Sequence, residues 1–371
     1  MIESSAPPSR VALARYFLFL GAAGFGGPIA LVGHMHRDLV EARGWVSEDE
    51  YREGLALAQL SPGPLAAQLC FYLGYIRGGI LGATLSGLGF VLPSFVIVVA
   101  LGWAYVRYGG LPWMQAVFYG VGAAVIGLIT RSAYGLTRKT IGKDLLLWGV
   151  FLVVAVATAA TGREIVWLIL AAGALVWLVR APPPALRRRG TLTEAGTALL
   201  LLQILGFFAY AGSFVFGSGL AIVPFLHGGV VLEHQWLTER EFLDAVAVAL
   251  ITPGPVVITT GFIGYLVAGL AGACVAAAAT FLPAFLFTII PAPYFHRFGK
   301  RAWLVTIVAG VTAAATGAIA GAVMVLARHS LVDLTTVLIA IAAFGVTWLR
   351  WRIPEPFVVL AAALVGLAVR R

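Results

Sequence analysis

The sequence predicts an all-α polytopic membrane protein: two inverted repeats, about 10 transmembrane helices, and two re-entrant hairpins built on Pro-Gly-Pro. Three observations predict it. The first is composition. Of 371 residues, 61% are hydrophobic and 11% charged, where a soluble domain carries about a quarter charged. Apolar runs of about 18 residues or more recur along the chain, and each can cross a hydrocarbon layer of about 30 Å as a helix. The runs are continuous rather than alternating, which excludes a β-barrel. The second observation is an internal repeat. The third is a pair of tetrapeptides, Ser61-Pro62-Gly63-Pro64 and Thr252-Pro253-Gly254-Pro255, each interrupting an apolar run.

The N-terminal segment flows into a full-length apolar run without a clear cleavage site, so it is read as retained. Just beyond it the repeat begins. Phe25 to Ala30 (FGGPIA) falls opposite Phe216 to Ala221 (FGSGLA), and Trp45 to Tyr51 (WVSEDEY) opposite Trp236 to Phe242 (WLTEREF), both 191 residues apart. The two Pro-Gly-Pro motifs share that offset. After one deletion, Gly74-Tyr75 matches Gly264-Tyr265, Gly82-Ala83 matches Gly272-Ala273, and Leu92-Pro93-Ser94-Phe95 matches Leu282-Pro283-Ala284-Phe285. Residues 1–180 form the first repeat, 181–196 a Pro-rich basic linker containing APPPALRRRG, and 197–371 the second repeat.

Ser47-x-x-Glu50 and Thr238-x-x-Glu241 fit a capping box, so a helix begins just ahead of each Pro-Gly-Pro. Pro64 and Pro255 lack an amide hydrogen and clash with the preceding turn. The residue before each proline is pushed out of the α region. The helix should break rather than bend, and broken backbone at membrane depth is tolerated only under protein or beside water. Collinear half-helices and re-entrant hairpins both satisfy this. If every run crosses, the cations show almost no sidedness. If the two motifs are hairpins and the N-terminus lies outside, about two-thirds of the 25 Lys and Arg face the cytoplasm, as short basic loops do. An inverted pair with collinear breaks gives the same split but needs an extra span near the linker, where no apolar run supplies one. Five crossings per half then invert the second copy, a plan common in secondary transporters.

Little other chemistry is on offer. The net charge of +9 sits in short loops and reads as a topology signal, so no nucleic acid partner is expected. Cys70 and Cys274 are the two cysteines, which excludes a disulfide framework or a CxxC site. The six histidines form no HExxH pattern, and no Walker, EF-hand or GxSxG motif occurs. No cofactor, metal or catalytic residue is expected, and the chain is read as a non-enzyme.

Phe25-Gly26-Gly27-Pro28, WVSEDEY, Gln59-x-x-Pro62-Gly63-Pro64 with Gln68, Gly74-Tyr75 and Leu92-Pro93-Ser94-Phe95 together resemble the chromate ion transporter (CHR) family. The resemblance spans roughly residues 12–300 and weakens toward the C-terminus. It implies a multi-pass carrier of the inner membrane that exports chromate and confers resistance to it. The second copy departs from the pattern. Ser218-Gly219 replaces Gly27-Pro28, and Leu250 replaces Gln59, so the first copy is expected to contribute more to the substrate site.

Chromate is a tetrahedral dianion at neutral pH and needs hydrogen-bond donors. A helix starting at Pro64 leaves the amides of Leu65, Ala66 and Ala67 free along the axis, and the helix dipole favours an anion there. Ser61, Gln59 and Gln68 add donors in the first copy, and Thr252, Thr259 and Thr260 in the second. Gly26, Gly27 and Pro28 allow another backbone to approach. The expected substrate-binding set therefore also includes Pro62, Gly63, Pro253, Gly254 and Pro255. Each has a plainer competing role: a packing kink for the prolines, interhelical bonding for the glutamines, back-bonding for the hydroxyls. Glu53 and Asp244 match by the repeat and are candidates for proton coupling, against a simple helix-start role. Arg77 is a candidate for anion steering, against a topology anchor.

Export needs no ATP, because each charge crossing 100 mV is worth about 2.3 kcal/mol and a departing dianion gains about twice that. Sulfate or oxyanion uptake or exchange is the alternative transport reading. A lipid-handling intramembrane enzyme or scramblase is a third, disfavoured by the lack of a carboxylate cluster in the apolar runs. The expected partners are chromate or sulfate and the lipid bilayer, and a homodimer is left open.

Overall fold

The computed structural model describes residues 8–25, 27–108, 112–161, 166–180, 197–215, 222–294, 302–346 and 355–369. Gly26, the 181–196 linker and the FGSGLA segment lie outside them. Every regular element among the described residues is helical. The first half comprises α1 (Arg10–Ala23), α2 (Gly27–Met35, running on as a π turn, His36–Ala42), α3 (Glu48–Leu60), α4 (Leu65–Tyr108), α5 (Pro112–Thr140), α6 (Leu145–Thr161) and α7 (Val166–Arg180). The second comprises α8 (Thr197–Ser213), α9 (Ile222–His227, with a π turn, Gly228–Glu233), α10 (Glu239–Ile251), α11 (Thr259–Ile289), α12 (Ala302–Ser330), α13 (Leu334–Val346) and α14 (Glu355–Val369). Among the described residues, four segments are long and apolar enough to span a membrane: Leu65–Tyr108, Trp113–Gly135, Val256–Tyr294 and Ala309–Arg328. Four shorter apolar helices accompany them. The chain is a multi-pass membrane protein.

Both capping boxes form. Ser47 and Thr238 each accept from the amide three residues on, and Glu50 and Glu241 reach back to the cap amides. Helices α3 and α10 therefore start where the sequence predicts. Each stops at its Pro-Gly-Pro, where Ser61 and Thr252 adopt extended backbone.

After the break the chain doubles back. A Cβ on Gly54 would meet the Tyr72 ring at 2.3 Å, and Arg77 bonds Glu50 at 2.6 and 2.8 Å. Helix α3 and the first arm of α4 thus run antiparallel, with Gly63 at the tip and Glu50–Arg77 at the base. A straight 44-residue α4 would measure about 66 Å. It folds instead at Gly78 and Gly79, where Gly79 takes φ 61° and ψ −152°. Helix α11 folds identically at Ala268 and Gly269, where Gly269 has φ 59° and ψ −150°. The two arms of α4 are clasped by Gly74 and Gly82: a Cβ on either would lie 2.2–2.5 Å from the other's carbonyl oxygen. Gly264 and Gly272 make the same clasp in α11 at 2.2–2.3 Å.

The halves are interlocked. α1 packs on α4 and α8 on α11, and α4 and α11 pack on each other. α5 is gripped by α13 and α14, while α12 is gripped by α6 and α7. Glycines set these crossings. A Cβ on Gly120 would strike the Ala362 carbonyl, and one on Gly317 would strike the Phe151 carbonyl at 2.4 Å. Helices in lipid lack a hydrophobic drive toward each other, so close backbone approach through small residues supplies the packing energy. Large apolar side chains such as Phe19, Leu88, Val96, Leu270 and Leu364 remain exposed, as a lipid-facing surface requires.

Gly82→Val should lower the thermal unfolding midpoint of detergent-solubilised protein, since overpacking of this kind costs about 1–3 kcal/mol. Gly149→Ala, where an added Cβ meets nothing within 4 Å, should not lower it. Equal midpoints would show that the clasp contributes nothing.

Candidate functional site

The two Pro-Gly-Pro tips are built alike. Gly63 has φ 144° and Gly254 φ 92°, backbone that favours glycine. Each donates its amide across to the other half: Gly63 to the Val215 carbonyl beyond α8 at 2.5 Å, Gly254 to the Gly24 carbonyl beyond α1 at 2.8 Å. Each also lies against the same position of the opposite long arm. A Cβ on Gly63 would meet Ala284, and one on Gly254 would meet Ser94. Ser94 and Ala284 stand at matching places in the LPSF and LPAF motifs, so the tips are held by reciprocal contacts.

Between the tips lies one small cavity lined by Pro28, Leu31, Pro64, Ala66, Gly254, Pro255, Val256 and Val257. Three segments far apart in sequence, both Pro-Gly-Pro breaks and Pro28 in the first turn of α2, converge on it. Its volume of about 10 Å³ is near the minimum for one water. The start of α4 presents the amides of Leu65, Ala66 and Ala67, which have no partner inside their own helix, while Gln68 bonds back to Pro64. The opposite start is tighter. A 3₁₀ turn over Val256–Ile258 precedes α11, and the Ile258 amide is already bonded to the Pro255 carbonyl. The amides of Val256 and Val257 have no partner inside this turn.

The expected side-chain donors are differently disposed. Ser61 donates to the Phe287 carbonyl at 3.3 Å, another bond between halves. Gln68 is fully buried. Its Nε2 donates to the Pro62 carbonyl at 2.8 Å, bracing the turn, and its Oε1 has no partner among the described residues. Gln59 is exposed on the last turn of α3. Thr252, Thr259 and Thr260 are buried and donate their hydroxyl hydrogens to their own helices, to the carbonyls of Val248, Val256 and Val257. Arg77 is not near the tip. Its guanidinium is bound by Glu50 and by the Trp45 carbonyl at 2.9 and 3.0 Å, closing the base of the hairpin.

Asp244 is buried within α10 and accepts from the Tyr105 hydroxyl of α4 at 2.6 Å. Glu53 is half-buried and bonded to Tyr72. The sequence reading missed two further pairs. His36 bonds Glu48 at 2.8 Å, and His227 bonds Glu239 at 2.7 Å. Each ties a π turn to the start of the following hairpin helix. The signal was present, since both residues of each pair recur 191 positions apart. No group of three metal-ligating side chains occurs among the described residues, so these pairs read as fasteners.

The architecture defines a class: a multi-pass helical membrane protein with two broken segments meeting over one small cavity. The sequence profile of the chromate transporter family matches the chain twice, over residues 11–177 and 202–367. A chromate transport protein of Cupriavidus metallidurans is 61% identical over 368 residues, covering 96% of this chain and 92% of that protein. A probable chromate transport protein of Synechococcus elongatus is 62% identical over 370 residues, covering 96% and 94%. A chromate transport protein of Pseudomonas aeruginosa is 34% identical, covering 99% and 94%. The chain belongs to the chromate transporter family. No solved structure matches it.

The Glu50–Arg77 clasp makes a testable claim. Hydrogen bonds from Arg77, then from the Ser47 amide and hydroxyl, hold the Glu50 carboxyl down at about 2 against the opposing effect of partial burial. A depressed folded-state value contributes stability above the ordinary carboxylate range, and that contribution is lost as pH falls through it toward about 2. Glu50→Gln should therefore cost stability at neutral pH and flatten the acid limb of a melting-temperature profile. An unchanged acid limb would refute the clasp.

Proposed function

We propose that the protein is a secondary carrier that exports chromate, or a similar tetrahedral oxyanion, across the inner membrane and so confers chromate resistance. The observation that carries this reading is the convergence of both broken-helix starts on one cavity. Each start places about half a positive charge at its end, and the free amides suit the oxygens of a dianion. Family membership supplies the substrate class. The cavity as found admits no tetrahedral oxyanion, so binding requires the tips to part. Parting also frees the Gly63 amide and the Ser61 hydroxyl from their partners in the other half and adds donors as the anion enters.

The carrier has ten crossings: α1, the second arm of α4, α5, α6 and α7, with their five counterparts. α3 with the first arm of α4, and α10 with the first arm of α11, are re-entrant hairpins entering from opposite faces. Helix direction supports the inversion. Ser94 lies by Gly254, Phe95 and Val98 by Gly261, and Gly102 by Tyr265, so the second arm of α4 runs parallel to the first arm of α11. α11 then reverses at Gly269. The two long second arms are therefore antiparallel, as inverted copies of residues 1–180 and 197–371 joined by a 181–196 linker would be. A membrane negative inside drives a dianion outward, which favours export over uptake.

Cells carrying the gene should hold less chromate than cells without it, and Ala66→Pro, which deletes one helix-start amide beside the cavity, should abolish most of the difference. Loss of one hydrogen bond to a charged group costs about 1.5–3 kcal/mol, so transport affinity should fall about tenfold or more. Higher chromate content with the gene would indicate uptake. A fully active Ala66→Pro variant at normal abundance would refute the cavity as the site.

A further inference from the structure

We propose that Asp244, held by the Tyr105 hydroxyl, is a proton-binding site coupled to the anion, so that a proton and the dianion cross the membrane together and a voltage negative inside drives one net charge outward instead of two. The inference rests on the carrier reading above.

Asp244 is 3% exposed. Its Oδ2 accepts from Tyr105 at 2.6 Å, and among the described residues no cation lies within ion-pair distance of it. The charged groups acting on it are Arg240 and Glu241, of opposite sign and on its own helix. α4, α5, α11 and α14, with the turns 228–233 and 256–258, pack against α10. The titratable group that acts on Asp244 from these neighbours is Tyr105. A secluded carboxyl with one neutral donor is stable as the neutral acid and costly as the anion. It needs a proton whenever its surroundings stay closed.

Two further features link it to the anion. Asp244 sits two turns before Thr252, about 12 Å along the axis from the broken tip. At that range in a poorly screened interior, a dianion in the cavity opposes a second negative charge on Asp244. By reciprocity, protonated Asp244 favours the bound anion as much as the anion favours the proton. The Tyr105 ring is wedged edge-on between Phe118 of α5 and Phe262 of α11, at 5.6 and 5.7 Å. Tyr105 and Asp244 come from different halves, so a motion that parts the tips also strains this bond and opens the carboxyl to water. Glu53, at the same repeat position, is half-exposed and bonded within its own hairpin, and lacks this seclusion.

The test uses the full chain in liposomes loaded with chromate, at alkaline pH so that chromate stays a dianion, with voltage clamped near zero. One proton per anion makes a gradient of one pH unit shift the chromate ratio about tenfold toward the alkaline side. In Asp244→Asn the ratio should stay near one while an imposed voltage still moves chromate, and Asp244→Glu should restore the shift. Tyr105→Phe should keep the shift but displace the pH at which flux is half-maximal. Wild-type flux that responds to voltage and ignores the pH gradient, or moves chromate toward the acid side, overturns the proton assignment alone. So does an Asp244→Asn variant that keeps the tenfold ratio. Absence of chromate flux under either gradient overturns both this inference and the carrier reading.

Discussion

A main chain that breaks at membrane depth must find new partners for its amides and carbonyls, because no water is there to take them and each group left bare costs several kcal/mol. The donation of Gly63 to Val215 and of Gly254 to Gly24 meets that requirement. Both acceptors are carbonyls just past the first helix of the opposite half, so neither broken segment is complete within its own half. Ser61 reaching Phe287 extends the same dependence. The interlocking of α5 with α13 and α14, and of α12 with α6 and α7, follows the same pattern. Two halves that each supply what the other lacks assemble as one unit.

Glycine makes this dependence affordable in volume. A Cβ on Gly21 would strike the Phe90 carbonyl and one on Gly212 the Thr280 carbonyl, so glycine lets α1 seat on α4 as α8 seats on α11. The 44 glycines of the chain would weaken a soluble helix, but in lipid they allow the backbone contacts that hold helices together. The same economy explains the two hairpin clasps, where no side chain would fit between the arms. Stability and the cavity then share one cause: arms that pack this closely leave space at the tips only for something small.

Much of this was readable in the sequence, and the unread part has identifiable reasons. Ser47-x-x-Glu50 and Thr238-x-x-Glu241 marked two helix starts because capping is local chemistry. Pro-Gly-Pro marked two breaks because proline removes a donor wherever it stands. The fold in α4 was harder to see. Its counterpart in α11 has Ala268 where α4 has Gly78, and only the second residue of each pair needs positive φ. Side-chain partners were least legible. Thr252, Thr259 and Thr260 look like donors in sequence, yet a buried hydroxyl bonds the carbonyl one turn back when nothing nearer competes. Arg77 looks like a free cation until Glu50 is seen 27 positions away at the other end of the hairpin. His36 with Glu48 and His227 with Glu239 match no ligand motif, and only the recurrence of both members at one offset pointed to them.

The backbones of the two hairpins match far better than their chemistry does. The first tip has half-exposed Ser61 and Pro62 beside exposed Gln59, and three helix-start amides. The second tip is sealed: Thr252 bonds its own helix, Leu250 replaces the glutamine, and a 3₁₀ turn uses an amide that α4 leaves open. In the proposed carrier of inverted copies, two hairpins of similar backbone are what alternating access requires. Unequal chemistry means the two arrangements do not treat an anion alike. In the proposed carrier the first tip, with exposed Gln59 and half-exposed Ser61, would supply side-chain contacts to the anion. The buried second tip, with Asp244 two turns behind it, would hold the proposed proton site. On that proposal, the departures from symmetry that look like decay of the repeat are what would give the scaffold a direction.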